Sequence, residues 1–208
     1  MNTTKLTLDE IYKLALKTLK LNGCDDFNAK AVANTVTNAE RDGSISHGLF
    51  RIPGYVASLK SKKVKGNSKP YNSFLTQNAI CVEGDYGFAP VAIQTGIPAL
   101  IETTNKHGVG VLTIKNTHHF AALWHETETL AEQNLIGIAC TAYKPSVAPA
   151  GAKKPLFGTN PISFAWPRKN NFPVVFDMAT STMAMGEVQV AARDGHKVPF
   201  GTGLNKEG

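Results

Sequence analysis

From residue 79 onward, short apolar runs alternate with segments of helical period, and no other feature restricts the fold as much. "AICVEGD" (79–85), "VGVLTIKN" (109–116), "LIGIACTA" (135–142), "ISFAWP" (162–167) and "PVVFDMA" (173–179) have the length and content of strands. "AICVEGD" reads as a short strand running into a turn, the others as buried strands. Between them, "GFAPVAIQTGIPALIETTNKHG" (87–108) carries helical spacing, weakened or kinked at Gly96 and Pro98. "FAALWHETETLAEQN" (120–134) places Leu123, Thr127, Leu130 and Ala131 on one helical face. Strands alternating with helices predict an α/β layer.

The first third differs. Thr7-Leu-Asp-Glu10 is a capping-box pattern, and Leu8, Ile11, Leu14, Ala15 and Leu19 follow at helical spacing. "LNGCDD" (21–26) breaks that helix. A second one begins near Asp26, with Ala29, Val32, Ala33, Val36 and Ala39 on one face, and Gly43 stops it. The lysine-rich stretch 60–70 reads as a linker or exposed loop. The expected organisation is a helical region over 1–75 and an α/β domain over 76–208.

With 42% hydrophobic and 18% charged residues, the chain is globular rather than disordered. A net charge of +6 suits nucleic acid, a phosphorylated cofactor or an acidic substrate. The densest basic runs, "KSKKVKGNSK" and "GAKKP", are short; the first lacks aromatics and reads as a solvated loop, so no nucleic-acid partner is expected. Cys24, Cys81 and Cys140 are too widely spaced for a metal site; Cys81 and Cys140 sit in apolar runs as buried thiols, which fits a reducing compartment. Lysines interrupt the N-terminal apolar positions, so no signal peptide is expected. No run approaches the ~20 apolar residues of a membrane span. A cytoplasmic location is the default.

There is no G-x-G-x-x-G between strand and helix, no Walker loop, no H-E-x-x-H and no G-x-S-x-G. What remains is a set of histidines and tight turns. In "SISHGLFRIPGYV" (44–56), Ser46 adjoins His47, and Arg51 follows at i+4, on one side of a turn that Pro53 keeps brief. That arrangement suits a proton donor with a carboxylate clamp, or an ordinary polar loop. In "KNTHHF" (115–120), Asn116 or Thr117 is placed to cap the next helix. His118, His119 and the amides of 119–123 then either hold a phosphate or satisfy local backbone groups. "LFGTNPISF" (156–164) is a turn in which Thr159 and Asn160 are candidates to face a ligand. Asp177 ends an apolar strand, where it accepts from a ribose hydroxyl or caps a helix. Lys144 reads as a solvated lysine at a strand end; His107, His125 and His196 read as solvated.

Several phrases together resemble one family. "SHGLFRIPGYV", "NTHHFAALW", "LAEQNLIGIA", "VAPAGAKKPLFGTNPISFAWP" and "FDMATSTMAMGEVQVAARDG" are similar, in order, to motifs of the malate/L-lactate dehydrogenase family. Its cofactor fold is not Rossmann. "HHFAALW", "KPLFGTNP" and "MATSTMAMGEVQVAAR" most resemble the branch of Δ1-piperideine-2-carboxylate and Δ1-pyrroline-2-carboxylate reductases. The resemblance implies an α/β fold with a mixed sheet flanked by helices, after an N-terminal helical region.

It also implies roles. Ser46 matches a relay serine, His47 a proton donor and Arg51 the substrate-carboxylate ligand. Thr159 matches a substrate contact. His119, Phe120, Ala121, Ala122 and Leu123 match a cofactor-binding segment, as do Asp177, Met178 and Ala179. Glu187 stands where the reductase branch carries an aspartate completing a Ser-His-acid relay, one methylene shorter. The implied reaction is NADPH-dependent reduction of a cyclic 2-imino acid, with NADH as a possible substitute, by a homodimer acting on a small carboxylate. A 2-hydroxyacid dehydrogenase is the alternative. The family's pattern continues past "VPFGTGLNKEG", which implies a C-terminally truncated chain with an incomplete cofactor domain; a non-catalytic cofactor-binding fragment is therefore a third expectation.

Overall fold

The computed structural model describes residues 4–205; residues 1–3 and 206–208, which begin the first run and end "VPFGTGLNKEG", lie outside them. The chain divides into two compact units at Ala121/Ala122. Packing divides later than the expected boundary at 75, because the segment around Phe88 and Val91 is buried in one core with the N-terminal helices.

The first unit opens with α1 (Leu8–Leu21) and α2 (Asp26–Arg41). The capping box forms: Thr7 N donates to Glu10 Oε2 at 2.7 Å, and Glu10 N to Thr7 Oγ1 at 3.2 Å. Ile11, Ala15 and Leu19 are buried, whereas Leu8 and Leu14 face outward. Asp25 caps α2 by accepting from Asn28 N at 2.8 Å.

The lysine-rich stretch is not a linker. Along 63–69 lysine or asparagine alternates outward while Val64, Gly66 and Ser68 are buried. Buried Asn28 donates to Ser68 O at 3.1 Å and accepts from Ser68 Oγ at 2.6 Å, and Asp25 N donates to Gly66 O at 2.9 Å. A Cβ on residue 66 would lie 2.2 Å from the Gly23 carbonyl oxygen, so only glycine fits that crossing.

Helix α3 (Ile52–Lys60) buries Ile52, Tyr55 and Leu59 against α1 and α2. Pro53 occupies its first turn, where a missing N–H costs nothing. The proline thus opens a helix instead of closing the turn, contrary to the sequence expectation.

Strands β1 (Tyr71–Phe74), β2 (Ala79–Phe88) and β3 (Val111–His118) form the mixed sheet, β1 antiparallel and β3 parallel to central β2. Helix α4 (Ala89–His107) makes the crossover and continues through Pro98. Gly96 lets it approach the sheet: a Cβ there would meet Val82 at 2.7 Å and Leu112 at 2.8 Å.

The second unit contains α5 (Trp124–Glu132), β4 (Gly137–Cys140), β5 (Ile162–Arg168), β6 (Asn171–Met178) and α6 (Met185–Asp194). Its strands form a separate antiparallel sheet in the order β4-β5-β6. Small residues line the face under α5: Gly137, Ser163 and Ala165 are buried, and Ser163 Oγ lies 2.7 Å from Thr127 Oγ1. The other face presents Ile138, Cys140, Ile162, Trp166, Val174, Phe176 and Met178, all exposed. Of the expected buried thiols, Cys81 is buried and Cys140 is not, since its register puts it on that open face. Among the described residues, no helix is long and apolar enough to cross a membrane, and no group of three or more His, Cys, Asp or Glu could hold a metal.

Candidate active site

The stretch "SISHGLFRIPGYV" folds as two 3-10 turns, Ile45–His47 and Leu49–Arg51, that feed into α3. Gly48 joins them because Glu40 comes in from α2 and accepts from Leu49 N at 2.7 Å; a Cβ on residue 48 would lie 2.0 Å from that carboxylate oxygen. Buried Ser46 places Oγ 2.8 Å from His47 Nδ1, and Ser44 Oγ lies 3.3 Å from the same nitrogen. Arg51 ends the second turn, with its guanidinium carbon 5.6 Å from the Phe50 ring centroid.

The parallel strands bring in the rest. β2 and β3 end side by side, with Phe88 opposite His118, and the chain leaves β3 through His119 at φ +58°. Tyr55 OH lies 3.1 Å from His119 Nδ1, and its ring meets Phe88 edge-on at 5.1 Å. Ser58 Oγ lies 3.2 Å from His118 Nε2 and donates to Gly54 O at 3.0 Å. Sequence reasoning did not single out Tyr55 or Ser58. Their signal was spacing: Arg51, Tyr55 and Ser58 are i, i+4 and i+7, one face of a helix.

The imidazoles are held uncharged. Burial first, and the Arg51 cation second, push His47 down to about 4. Burial, then Arg51, His47 and His118, push His119 down to about 3. Burial and Lys63 lower His118 as well. Burial pushes the Tyr55 phenol up, so it keeps its proton. At rest His47 is therefore a neutral base.

In the second unit, Asp177 ends β6 and its Oδ2 accepts from Leu123 N at 2.6 Å and Trp124 N at 3.0 Å. It caps α5 from a distant strand. That helix therefore starts at Trp124 and not at 120, and neither Asn116 nor Thr117 caps it. Both lie in β3, where Asn116 donates to Glu83 at 2.9 Å. One of the amides expected to hold a phosphate, that of Leu123, is engaged, together with Trp124 N, by Asp177. Beside it, Glu126 Oε2 is sealed from solvent with no hydrogen-bond partner, although the residue as a whole is part-exposed. Burial, with the Asp177 carboxylate adding to it, pushes Glu126 up to about 8. Nothing in the sequence distinguishes Glu126 from Glu128 or Glu132.

The remaining candidates are placed as follows. Thr159 is buried and its carbonyl accepts from Thr180 N at 2.9 Å. Asn160 is turned to the backbone of Tyr143, its Oδ1 accepting from Tyr143 N at 3.0 Å. Ala121, Ala122 and Leu123 are buried, Phe120 and Ala179 half-buried, and Met178 exposed. Glu187 is exposed in the first turn of α6. Lys144, His107 and His196 are exposed, and His125 is half-buried.

Polar groups gathered where parallel strands end mark, in this α/β protein, a candidate strand-end site. The sequence matches the malate/L-lactate dehydrogenase family over residues 6–208. It is 40% identical over 203 residues to "Delta(1)-pyrroline-2-carboxylate reductase 2" of Burkholderia multivorans, covering 98% of this chain and 60% of the relative. It is 39% identical over 204 residues to the Δ1-pyrroline-2-carboxylate/Δ1-piperideine-2-carboxylate reductase of Pseudomonas aeruginosa, covering 98% and 61%. Among solved structures, Δ1-piperideine-2-carboxylate reductase from Pseudomonas syringae pathovar tomato superposes with a TM-score of 0.89 at 40% identity, over 95% of this chain and 59% of that one. Malate dehydrogenase from Entamoeba histolytica gives 0.90 at 29% identity, over 95% and 55%. The chain thus spans about 60% of the length of the curated relatives it matches. It belongs to the malate/L-lactate dehydrogenase family.

Proposed function

We propose that the protein reduces a cyclic 2-imino acid, Δ1-pyrroline-2-carboxylate or Δ1-piperideine-2-carboxylate, with a nicotinamide cofactor, NADPH before NADH. The observation that carries this reading is the cluster of Ser46, His47, Arg51 and His119, in which one guanidinium stands among neutral imidazoles. The relatives bearing reductase names support the substrate class.

Arg51 binds the substrate carboxylate through paired charge-assisted hydrogen bonds, which fixes the ring's orientation. That carboxylate also cancels the cation that disfavours a charged His47. Substrate binding and protonation of His47 are therefore coupled. Ser46 holds Nδ1, so the proton for transfer sits on Nε2. His47 gives that proton to the imine nitrogen as the carbon receives hydride, and returns to its neutral form. The cofactor supplies the hydride. The neutral His118 and His119 suit an uncharged dihydronicotinamide ring. His119 to Leu123, with Asp177 to Ala179, remain the segments we assign to the cofactor, Asp177 acting through its cap on α5. Thr159 is assigned to the substrate, and Glu187 to the acid of the Ser-His-acid relay.

One observation favours the alternative of a 2-hydroxyacid dehydrogenase: a resting neutral His47 is already poised to take a hydroxyl proton. Cofactor oxidation separates the two when measured with both cyclic imines, pyruvate and oxaloacetate. We expect turnover of an imine well above either 2-oxo acid. Turnover of the 2-oxo acids alone would overturn the reductase reading.

A further inference from the structure

We propose that Tyr55 is a positioning residue, whose phenol fixes His119 in the tautomer that carries its proton on Nε2 and so keeps that N–H as a donor for a ligand's carbonyl oxygen. The inference rests on counting protons. Tyr55 is 5% exposed, and its hydroxyl lies 3.1 Å from His119 Nδ1. Either the phenol donates to a bare Nδ1, or Nδ1–H donates to the phenol. The second arrangement leaves a buried O–H without an acceptor, which disfavours it by about fivefold or more in population. Nδ1 is therefore the acceptor, and a neutral ring then has its proton on Nε2.

The neighbouring histidine shows the opposite use. The Ser58 proton goes to Gly54 O at 3.0 Å, so its oxygen accepts from His118 Nε2–H at 3.2 Å. That N–H is consumed within the protein. One face of α3 thus ties down the donor of His118 and frees that of His119, and the same face begins at Arg51. Packing orients the tyrosine: its ring is edge-on to both Phe88, at 5.1 Å, and His119, at 5.5 Å. Helix α3 therefore sets two elements of the site together, the carboxylate clamp and the tautomer of the imidazole beside it.

The proposal rests on the Arg51 cluster being the ligand site, but its main test needs no ligand. Nitrogen NMR of the histidine-labelled protein at neutral pH distinguishes bare from protonated ring nitrogens. His119 is expected to show a bare Nδ1 and a protonated Nε2. In Tyr55→Phe, which keeps the ring and its packing, the two tautomers are expected to mix. In Phe88→Leu, which alters packing but keeps the phenol, the wild-type pattern is expected to persist. A protonated Nδ1 in the wild type, or an unchanged pattern in Tyr55→Phe, would overturn the proposal. Where imine reduction is measurable, Tyr55→Phe should lower kcat roughly fivefold with KM for the carboxylate unchanged. If no imine is turned over, the function proposed above fails while the tautomer result stands.

Discussion

His47 and His119 are uncharged because the chain buries them beside a guanidinium, and the cost of that choice falls at acid pH. Both have an ordinary value of 6.5 and are pushed down to about 4 and about 3. The native state therefore binds fewer protons than the unfolded one between those limits, and stability falls as pH drops from 6.5 through 4 to 3. Glu126 works in the opposite direction. It is raised from 4.5 to about 8, so the native state holds a proton that the unfolded chain has lost, and stability falls as pH rises from 4.5 through 8. The unfolding free energy of Glu126→Gln in urea titrations should exceed that of the wild type at pH 9 by about 1 kcal/mol or more and converge toward it near pH 4. A wild-type stability that is flat between pH 5 and 9, with no gain in the variant, would show that Glu126 is solvated. At this scale the sequence was legible only in part. Ser46, His47 and Arg51 stood out because unlike polar groups share one turn. Tyr55 and Glu126 did not, since burial, which gives each its chemistry, has no local signature.

At the scale of elements, close approach explains what periodicity does not. Both N-terminal helices were readable because Thr7, Asp25, Ala15 and Ala29 combine capping with an apolar stripe. The stretch 60–70 is the exposed loop that was one of its two readings and not the linker that was the other; lysine density hid the alternation of Val64, Gly66 and Ser68 beneath it. The start of α5 was misplaced because its cap, Asp177, comes from a strand more than fifty residues away. Gly66→Ala tests the packed loop. Its Cβ meets the Gly23 backbone oxygen at 2.2 Å, which cannot swing aside as a side chain could. We expect a loss of about 1–3 kcal/mol in urea unfolding; a variant as stable as the wild type would mean that the loop is not anchored on α2.

For the molecule as a whole, the alternation of strands and helices correctly announced an α/β protein, and the five ordered phrases its family. The alternation could not say that the strands sort into two sheets, because that depends on which strand edges pair. Nor could spacing announce that the cluster around Arg51 is set by the mutual ends of β2 and β3, ~30 residues apart in sequence and one hydrogen-bond rung apart in the sheet. The central claim is that Arg51 clamps a carboxylate and thereby readies His47 to give up a proton. Steady-state kinetics of the cyclic imine with His47→Ala and Arg51→Ala test it most directly. For His47→Ala, kcat should fall by about a hundredfold or more with little change in KM. For Arg51→Ala, KM should rise roughly tenfold to a hundredfold. A His47→Ala protein that keeps wild-type kcat, or an Arg51→Ala protein with unchanged KM, would contradict the account.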